Sequence, residues 1–351
     1  MIESINPKFV KKSRFQNKIS SNITQCLTCE RQCKIPLGKT GHCKTRINHN
    51  GEILTIVYGC IPAKSINPIE KKPLYHFFPG SSAVTVGTFG CNFDCFWCQN
   101  HNISHPMLPF IDNIKNQSSY YSPEMLIKEA IENNCHGTSI SFNEPTLLFE
   151  YSLEVFKLAK KAGLYNTYVS NGYMTEEVLR TLVKHGLDAI NIDIKGDPNM
   201  VKKHCGADVE KVWRNAKLAK ELGVHVEITT LLIEDYNSNV DIIQEIANKI
   251  TTELGESTPF HISRFFPQYK SIEHGIDKPT NLKILYNAYE IVKNCGLKYV
   301  YVGNISSNKY SHTTCPNCSK LVIKRSTFSV EELNVDTKGN CNYCGYHICE
   351  M

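Results

Sequence analysis

The sequence predicts an α/β fold: a partial (β/α)6-type, TIM-like barrel with a Cys-rich N-terminal module and a C-terminal module of the zinc-ribbon type. Two observations support this prediction. Short β-branched runs alternate with longer amphipathic segments from residue 84 onward, as in a parallel sheet covered on its outer side. Groups of cysteines lie before, within and after this region. We expect three parts, at residues 1–80, 81–305 and 311–351.

Seven short runs predict strands, in the order AVTVGTF, TSISFN, NTYVSN, AINIDIK, VEITTLLI, FHISRFF and KYVYVGN. Six segments between them place apolar residues at helical spacing: SPEMLIKEAIENN, EYSLEVFKLAKKAG, TEEVLRTLVKHG, VEKVWRNAKLAKELG, NVDIIQEIANKITTELG and PTNLKILYNAYEIVKNCG. Ser122 followed by Pro123 is typical of a helix start. Right-handed crossovers of this kind can curl the sheet into most of a barrel.

Length and charge narrow the class of protein. The chain of 351 residues can bury a full core, and its formal charge of +5 is too small a bias to indicate nucleic-acid binding. The N-terminal stretch MIESINPKFVKKSRF lacks the apolar centre of a signal peptide, and no run approaches the roughly 18 apolar residues of a spanning helix. We therefore expect a cytoplasmic protein without a membrane partner.

Sixteen cysteines in such a chain indicate metal binding, because a reducing cytosol disfavours disulfides. Eleven of them form three groups, which are Cys26, Cys29, Cys33 and Cys43, then Cys91, Cys95 and Cys98, then Cys315, Cys318, Cys341 and Cys344. The last group consists of two CxxC pairs and predicts a zinc ribbon in preference to an auxiliary cluster. The first group fits zinc or a second iron-sulfur cluster, since four thiolates satisfy either.

The middle group, in TFGCNFDCFWCQNHN, offers three thiolates directly after the first predicted strand. A structural zinc site needs four ligands, and His101 or His105 could supply the fourth. A [4Fe-4S] cluster held by three cysteines instead leaves one iron free to bind a substrate or cofactor. We favour the cluster.

This CxxxCxxC spacing, in the loop after the first strand of a β/α barrel, resembles the signature of the radical S-adenosylmethionine superfamily. The resemblance implies that the amino and carboxylate groups of S-adenosylmethionine chelate the open iron of the cluster. It also implies reductive cleavage of the sulfonium to methionine and a 5′-deoxyadenosyl radical, which abstracts hydrogen. An electron donor of the flavodoxin or ferredoxin type is then expected. No catalytic residue beyond the cluster ligands is predicted.

The resemblance extends to the ends of later strands. SFNEP stands where the superfamily has Gly-Gly-Glu-Pro, with Phe142 and Asn143 in place of the glycines, and implies a contact with the methionine amino group. DIK matches the Asp-x-Lys element of glycyl-radical-enzyme activators, and VSNG resembles their Asp-Thr-Asn-Gly segment with Val169 in place of the aspartate. Together with candidates on the sixth strand, the implied cofactor-binding residues are Asn143, Glu144, Pro145, Ser170, Asn171, Asp193, Lys195, His261 and Arg264. For His261 and Arg264, packing or ion pairing is the alternative.

Further segments indicate which family within the superfamily this sequence resembles. CLTCERQCKIPLGKTGHCKTRINHNGEI and NPIEKKPLYHFFPGS, together with GTFGCNFDCFWCQNHNIS, resemble the AmmeMemoRadiSam system radical SAM enzymes, relatives of the pyruvate formate-lyase activating enzyme. The family name implies a Memo-type protein as partner or another protein substrate. A different hypothesis is a binding module, stabilised by its bound metal ions, that binds nucleic acid or protein without radical chemistry. That hypothesis explains the outer cysteine groups but not the triplet.

Overall fold

Six short strands form two small sheets in the N-terminal part of the chain. The structure is a computed structural model and describes residues 2–106, 109–116, 119–306 and 309–351. The strands are β1 Lys11–Lys12, β2 Gln16–Lys18, β3 Ile23–Cys26, β4 Lys34–Pro36, β5 Arg46–His49 and β6 Glu52–Thr55. They pair in the orders β1-β6-β5 and β2-β3-β4. Phe9, Ile47 and Ile56 pack with Phe89, which lies just before the cysteine triplet, so this part is attached to the barrel through an apolar core.

An eight-stranded sheet forms the centre of the molecule. Its strands are β7 Ala63–Pro68, β8 Ser82–Gly87, β9 Gly137–Ile140, β10 Tyr165–Ser170, β11 Ala189–Asp193, β12 His225–Leu232, β13 Phe260–Arg264 and β14 Val300–Gly303. They lie side by side in chain order; β8 to β14 are parallel, and β7 runs antiparallel to β8. Among the described strands β7 and β14 are the edges, so the sheet is a partial barrel.

Helices lie between these strands, at α1 His101–Ser104, α2 Phe110–Asn116, α3 Pro123–Glu132, α4 Phe149–Lys161, α5 Glu176–His185, α6 Pro198–Cys205, α7 Val209–Glu221, α8 Val240–Lys249 and α9 Leu282–Asn294. The helices α3 to α9 cover the outer face of the sheet, whereas α2 packs with the N-terminal part. Apolar residues of the helices, such as Phe156 and Leu182, share one core with strand residues such as Ile190. Ser122 caps α3 by accepting a hydrogen bond from Met125 N at 3.2 Å. The predicted alternation of seven parallel strands and six helices is confirmed.

A C-terminal sheet closes the lower end of the barrel, where the parallel strands begin. Its strands are β15 Thr313–Thr314, β16 Leu321–Ser326 and β17 Ser329–Leu333. Buried Arg325 donates to Tyr75 O at 2.6 Å, and His76 Nδ1 lies 2.6 Å from Ile348 O. We call residues 313–350 the ribbon and the segment 75–78 with its ribbon contacts the floor.

The boundary predicted at residue 80 differs from the sheet, because β7 lies before it and pairs with β8. The polar sequence AKSINP of β7 lacks the continuous apolar character of a central parallel strand, as suits an edge. In the ranges that the structure describes, each helix is too short or too polar to cross a bilayer.

Candidate functional site

The cysteine triplet lies in the loop after β8, at the end of the barrel where parallel strands carry their active residues. Cys95 is buried, and Cys91 and Cys98 are partly buried. Phe96 and Trp97 of the same loop belong to the main hydrophobic core. Packing of these rings therefore holds the loop at the upper end of the barrel, which we call the rim.

Each thiol of the triplet has a close neighbour: Phe93 N donates to Cys91 Sγ at 3.4 Å, Cys95 Sγ lies 3.4 Å from Cys205 Sγ, and Cys98 Sγ lies 3.2 Å from Ser104 Oγ. Burial raises the pKa of the Cys91 thiol. For Cys98, burial acts in the same direction, but hydrogen bonds from His105 and Ser104 outweigh it and lower its pKa. Cys98 therefore provides the thiolate most readily, and a bound cation favours the thiolate form of the other two.

The spacing of the three sulfurs fits a cluster better than one zinc ion. Two thiolates on one zinc lie at most about 4.6 Å apart, since each Zn–S bond measures about 2.3 Å. Within the described residues, the triplet does not form a set whose ligand atoms all lie within 4.8 Å of one another, with or without a nearby histidine. In a [4Fe-4S] cluster each thiolate binds its own iron, so wider spacing is required.

Two asparagines connect the triplet to the end of β10. Asn171 Nδ2 donates to Asn92 Oδ1 at 2.7 Å and lies 4.0 Å from Cys91 Sγ. Asn92 Nδ2 is buried and finds no acceptor in the described part of the chain. An unpartnered N–H donor beside a cysteine ligand suits the sulfur atoms of a bound cluster.

Phe142, which replaces a glycine of the superfamily pattern, has a φ of +72°. This is the left-handed region that glycine adopts without strain. A Cβ on Gly87 would meet Phe142 Cβ at 2.9 Å, so β8 and the end of β9 approach closely. Asn100, just after the triplet, donates its side-chain amide to Phe142 O. Phe142 therefore adopts a backbone conformation that a glycine at this position would adopt without strain.

The side chain of Asn143 forms hydrogen bonds with the backbone of the triplet loop and of the residues before it. Its Nδ2 donates to Gly90 O at 2.6 Å, and its Oδ1 accepts from Thr88 N at 3.3 Å. Gly90 directly precedes Cys91 in the chain. Pro145 is buried and begins a short 3-10 helix that Glu144 caps.

Glu144 is fully buried, and both of its carboxylate oxygens accept hydrogen bonds from this chain. Its Oε1 accepts from Thr146 N at 3.0 Å and Ser170 Oγ at 2.9 Å, and its Oε2 accepts from Asn171 N at 2.9 Å. Burial raises the pKa of Glu144, and these hydrogen bonds oppose that rise. The structure therefore gives Glu144 a supporting contact with Ser170 and Asn171.

Asp193 and Lys195 form an ion pair at the end of β11, with Lys195 Nζ 2.9 Å from Asp193 Oδ2. Burial acts to lower the pKa of Lys195, but the Asp193 carboxylate and the nearby Cys95 and Cys205 raise it above its usual value. Lys195 also acts to lower the pKa of the Cys95 and Cys98 thiols. The structure thus brings the predicted pair together with the triplet.

His261 and Arg264 lie apart from one another on β13. His261 is buried near the lower end, where its Nε2 lies 2.6 Å from Glu227 Oε2 and its ring stacks on Tyr301. Arg264 is at the upper end and donates through Nε to Thr280 O at 2.8 Å. For His261, these contacts with Glu227 and Tyr301 fit the alternative role in packing or ion pairing.

The four ribbon cysteines form a tight set. The ligand atoms of Cys315, Cys318, Cys341 and Cys344 all lie within 4.8 Å of one another. Two of the distances are 3.6 Å, from Cys315 Sγ to Cys344 Sγ, and 3.8 Å, from Cys318 Sγ to Cys341 Sγ. This geometry fits one tetrahedral ion. The other predicted set, Cys26, Cys29, Cys33 and Cys43, lines a single cavity in the N-terminal part.

Two residues near Cys95 and Phe142 have no sequence motif that would have identified them. Cys205 lies more than 100 positions from the triplet and reaches Cys95 because α6 ends beside it. Lys72 is buried, and its Nζ lies 5.3 Å from the centre of the Phe142 ring without a hydrogen bond or ion pair to any described residue. Burial lowers the pKa of Lys72 to about 7. Only tertiary structure shows that this lysine is enclosed.

Comparisons with known proteins agree with this geometry. The profile of the Radical SAM superfamily matches residues 85–247. An uncharacterized protein of Methanocaldococcus jannaschii is 38% identical over 97% of this chain and 99% of its own length. A second protein of that organism, named putative glycyl-radical enzyme activating enzyme, is 29% identical over 63% of this chain and 79% of its own.

A solved structure has the same fold. The crystal structure of a radical SAM methyltransferase from Sphaerobacter thermophilus superposes with a TM-score of 0.50, covering 73% of this chain and 72% of the other at 12% identity. At this level of identity the similarity concerns the fold alone.

Proposed function

We propose, from the premise that this chain belongs to the radical S-adenosylmethionine superfamily, that it cleaves S-adenosylmethionine to activate or modify a protein or small molecule. One observation carries the proposal. Three thiols, spaced too widely for a single zinc ion, share the rim with the Asp193–Lys195 pair. Three thiolates leave one iron of a [4Fe-4S] cluster open.

The residues of the rim fit the cofactors in distinct ways. The cluster and S-adenosylmethionine, when bound, supply a 5′-deoxyadenosyl radical that takes hydrogen from the substrate. Lys195 provides a cation for the methionine carboxylate, and Asp193 provides an acceptor for ribose hydroxyls. The backbone of 142–145 and that of Ser170 and Asn171 provide groups for the amino end. Glu144 keeps these two segments in place.

Resemblances to known proteins support particular classes of substrate for this chain. The Asp-x-Lys element at Asp193 and Lys195 and the relative named as a putative activating enzyme support activation of a glycyl radical enzyme. The AmmeMemoRadiSam resemblance supports a Memo-type protein as partner. Direct small-molecule chemistry is the alternative. In each case a one-electron donor of the flavodoxin or ferredoxin type is required to reduce the cluster.

The alternative function, a module that binds nucleic acid or protein through its ribbon alone, would not require the residues of the rim. Zinc at the ribbon is part of this proposal, because four close thiolates form a closed site. Such a module would leave the triplet, the Asp193–Lys195 pair and the buried Glu144 without a function.

The test is an assay of reduced, anaerobically reconstituted protein. We expect 5′-deoxyadenosine and methionine in equal amounts, formed slowly without the true substrate, and loss of both in a variant with Cys91, Cys95 and Cys98 changed to alanine. A wild-type protein that carries its cluster and binds S-adenosylmethionine, yet yields no deoxyadenosine alone or with candidate substrates, would contradict the proposal.

A further inference from the structure

Four cysteines of the N-terminal part converge on one cavity beside the triplet loop. Cys26, at the end of β3, is followed by Cys29 and Cys33 in the next turn, and Cys43 lies in the loop before β5. All four line the cavity as free thiols, three buried and Cys33 partly so. Cysteines from separate segments around one cavity indicate a common ligand.

The distances between these thiols differ from those of the ribbon. In the ribbon all four sulfurs lie within 4.8 Å of one another. In the described part of the chain, no three of the N-terminal four meet that limit, although they share a cavity. One zinc ion would require every pair to lie within about 4.6 Å. A group in which each thiolate binds a separate iron fits the wider spacing.

The lining of the cavity supplies donors for such a group. Arg46 lines it with a side chain that is 2% exposed. Its Nη1 pairs with Glu150 Oε1 at 2.8 Å, but its Nε is buried and finds no acceptor among the described residues. An iron-sulfur cluster carries sulfide as well as thiolate sulfur, and both accept hydrogen bonds from buried N–H groups. A zinc ion brings no acceptor of its own.

The cavity is in direct contact with the triplet loop. Asn92, adjacent to Cys91, lines the cavity and its Nδ2 also finds no acceptor in the described ranges. Arg31, between Cys29 and Cys33, donates through Nε to Asn92 O at 2.5 Å. The two ligand loops therefore touch.

We infer that Cys26, Cys29, Cys33 and Cys43 bind a second [4Fe-4S] cluster, closed by four thiolates, next to the cluster site of the triplet. Four protein ligands leave no open iron, so this cluster does not bind S-adenosylmethionine. It is a redox centre. The inference goes beyond the proposed function and does not depend on what the triplet does.

The experiment counts metals in the full chain, reconstituted anaerobically with iron, sulfide and zinc. Native mass spectrometry and metal analysis should find about eight iron and about eight sulfide, as two [4Fe-4S] clusters require. The variant with Cys91, Cys95 and Cys98 changed to alanine should keep half of the iron. The EPR signal of the remaining cluster should not change when S-adenosylmethionine is added. Changing Cys29 and Cys33 to serine should likewise remove half of the iron. The matched control, Cys318→Ser in the ribbon, should lose zinc and keep all of the iron.

EPR tests the contact between the sites. With both clusters reduced, the wild-type spectrum should show spin–spin broadening that each single-cluster variant lacks. If a triplet variant does not fold, the cluster and zinc counts of the wild-type chain still decide.

The two proposals fail separately. One cluster and a second zinc ion in the wild type, or a triplet variant that folds but binds no iron, overturns the second cluster and leaves the radical chemistry intact. A triplet variant that keeps a cluster, in a protein whose wild type makes no deoxyadenosine, overturns the proposed function alone.

Discussion

Glu144 accepts a hydrogen bond at 2.9 Å from the backbone N–H of Asn171, across the ends of two neighbouring strands. Asn171 in turn donates to Asn92, the residue after Cys91. A fully buried carboxylate therefore connects the ends of β9 and β10 with the loop that carries the metal ligands. This link sets the geometry of the rim before any cofactor binds.

Replacing Glu144 by glutamine tests that link. Both carboxylate oxygens accept from backbone N–H groups, those of Thr146 and Asn171, and an amide NH2 cannot accept at either position. One buried N–H is left unpaired, which costs about 1–3 kcal/mol. Urea unfolding of the metal-free chain should show this loss, whereas the surface control Glu52→Gln, which loses a pair with Lys12, should cost less than about 1 kcal/mol. Equal effects would contradict the link.

Cys95 and Cys205 are 3.4 Å apart, yet we expect only Cys95 to be a cluster ligand. Cys95→Ser should abolish the EPR signal that responds to S-adenosylmethionine. Cys205→Ser should retain it, because the three thiolates of the triplet suffice for a cluster with an open iron. A loss of the signal in both variants would make Cys205 a fourth ligand and close the open position.

Lys195→Ala should weaken binding of S-adenosylmethionine while the cluster still assembles. A charge-assisted contact to a carboxylate contributes about 1.5–3 kcal/mol, so affinity should fall by roughly one to two orders of magnitude. Lys160→Ala is the matched control, since it removes another lysine ion pair, with Asp188, at the opposite end of the sheet. Equilibrium binding measures both. Indistinguishable affinities would remove Lys195 from the cofactor site.

Lys72 should make stability depend on pH. Its pKa is lowered by burial to about 7, below the roughly 10.4 of an unfolded chain, so the unfolded state binds more protons between these values. Stability therefore rises with pH through this window, by up to about 1.4 kcal/mol per unit. We expect the free energy of unfolding of the wild type to rise between pH 7 and pH 9 by about 1–3 kcal/mol more than that of Lys72→Met. Urea unfolding at the two pH values measures both changes.

The neighbouring Lys71 is exposed and provides the control. Lys71→Met should keep the pH dependence of the wild type. If Lys72→Met keeps it as well, the lysine is hydrated in solution and the dependence has another source.

The barrel was predictable because its signals are local. Each strand from β8 to β14 is a short β-branched run, and each long helix between them repeats apolar residues at helical spacing. The triplet was predictable for the same reason, since Cys91, Cys95 and Cys98 lie within one loop. The four ribbon cysteines are also grouped in the chain, and the structure brings them together as predicted.

Features that depend on tertiary contacts were not predictable. Glu144 was predicted to contact the cofactor, but its hydrogen bonds with Ser170 and Asn171 of the next strand appear only in the folded chain. His261 lies on the same strand as Arg264 of the upper end, and only the folded structure shows that its side chain contacts Glu227. Phe142 adopts a backbone conformation that its residue type disfavours, so composition gave no indication of it.

The floor is made by residues that follow the barrel in the chain. Synthesis proceeds from the N-terminus, so β7 to β14 leave the ribosome before the ribbon that docks on Tyr75 and His76. Until the ribbon has folded, the aromatic and ionisable residues at the lower end face water. Folding of the ribbon therefore determines when the lower end of a newly made barrel closes, and a chain whose ribbon does not fold would keep that end open to water.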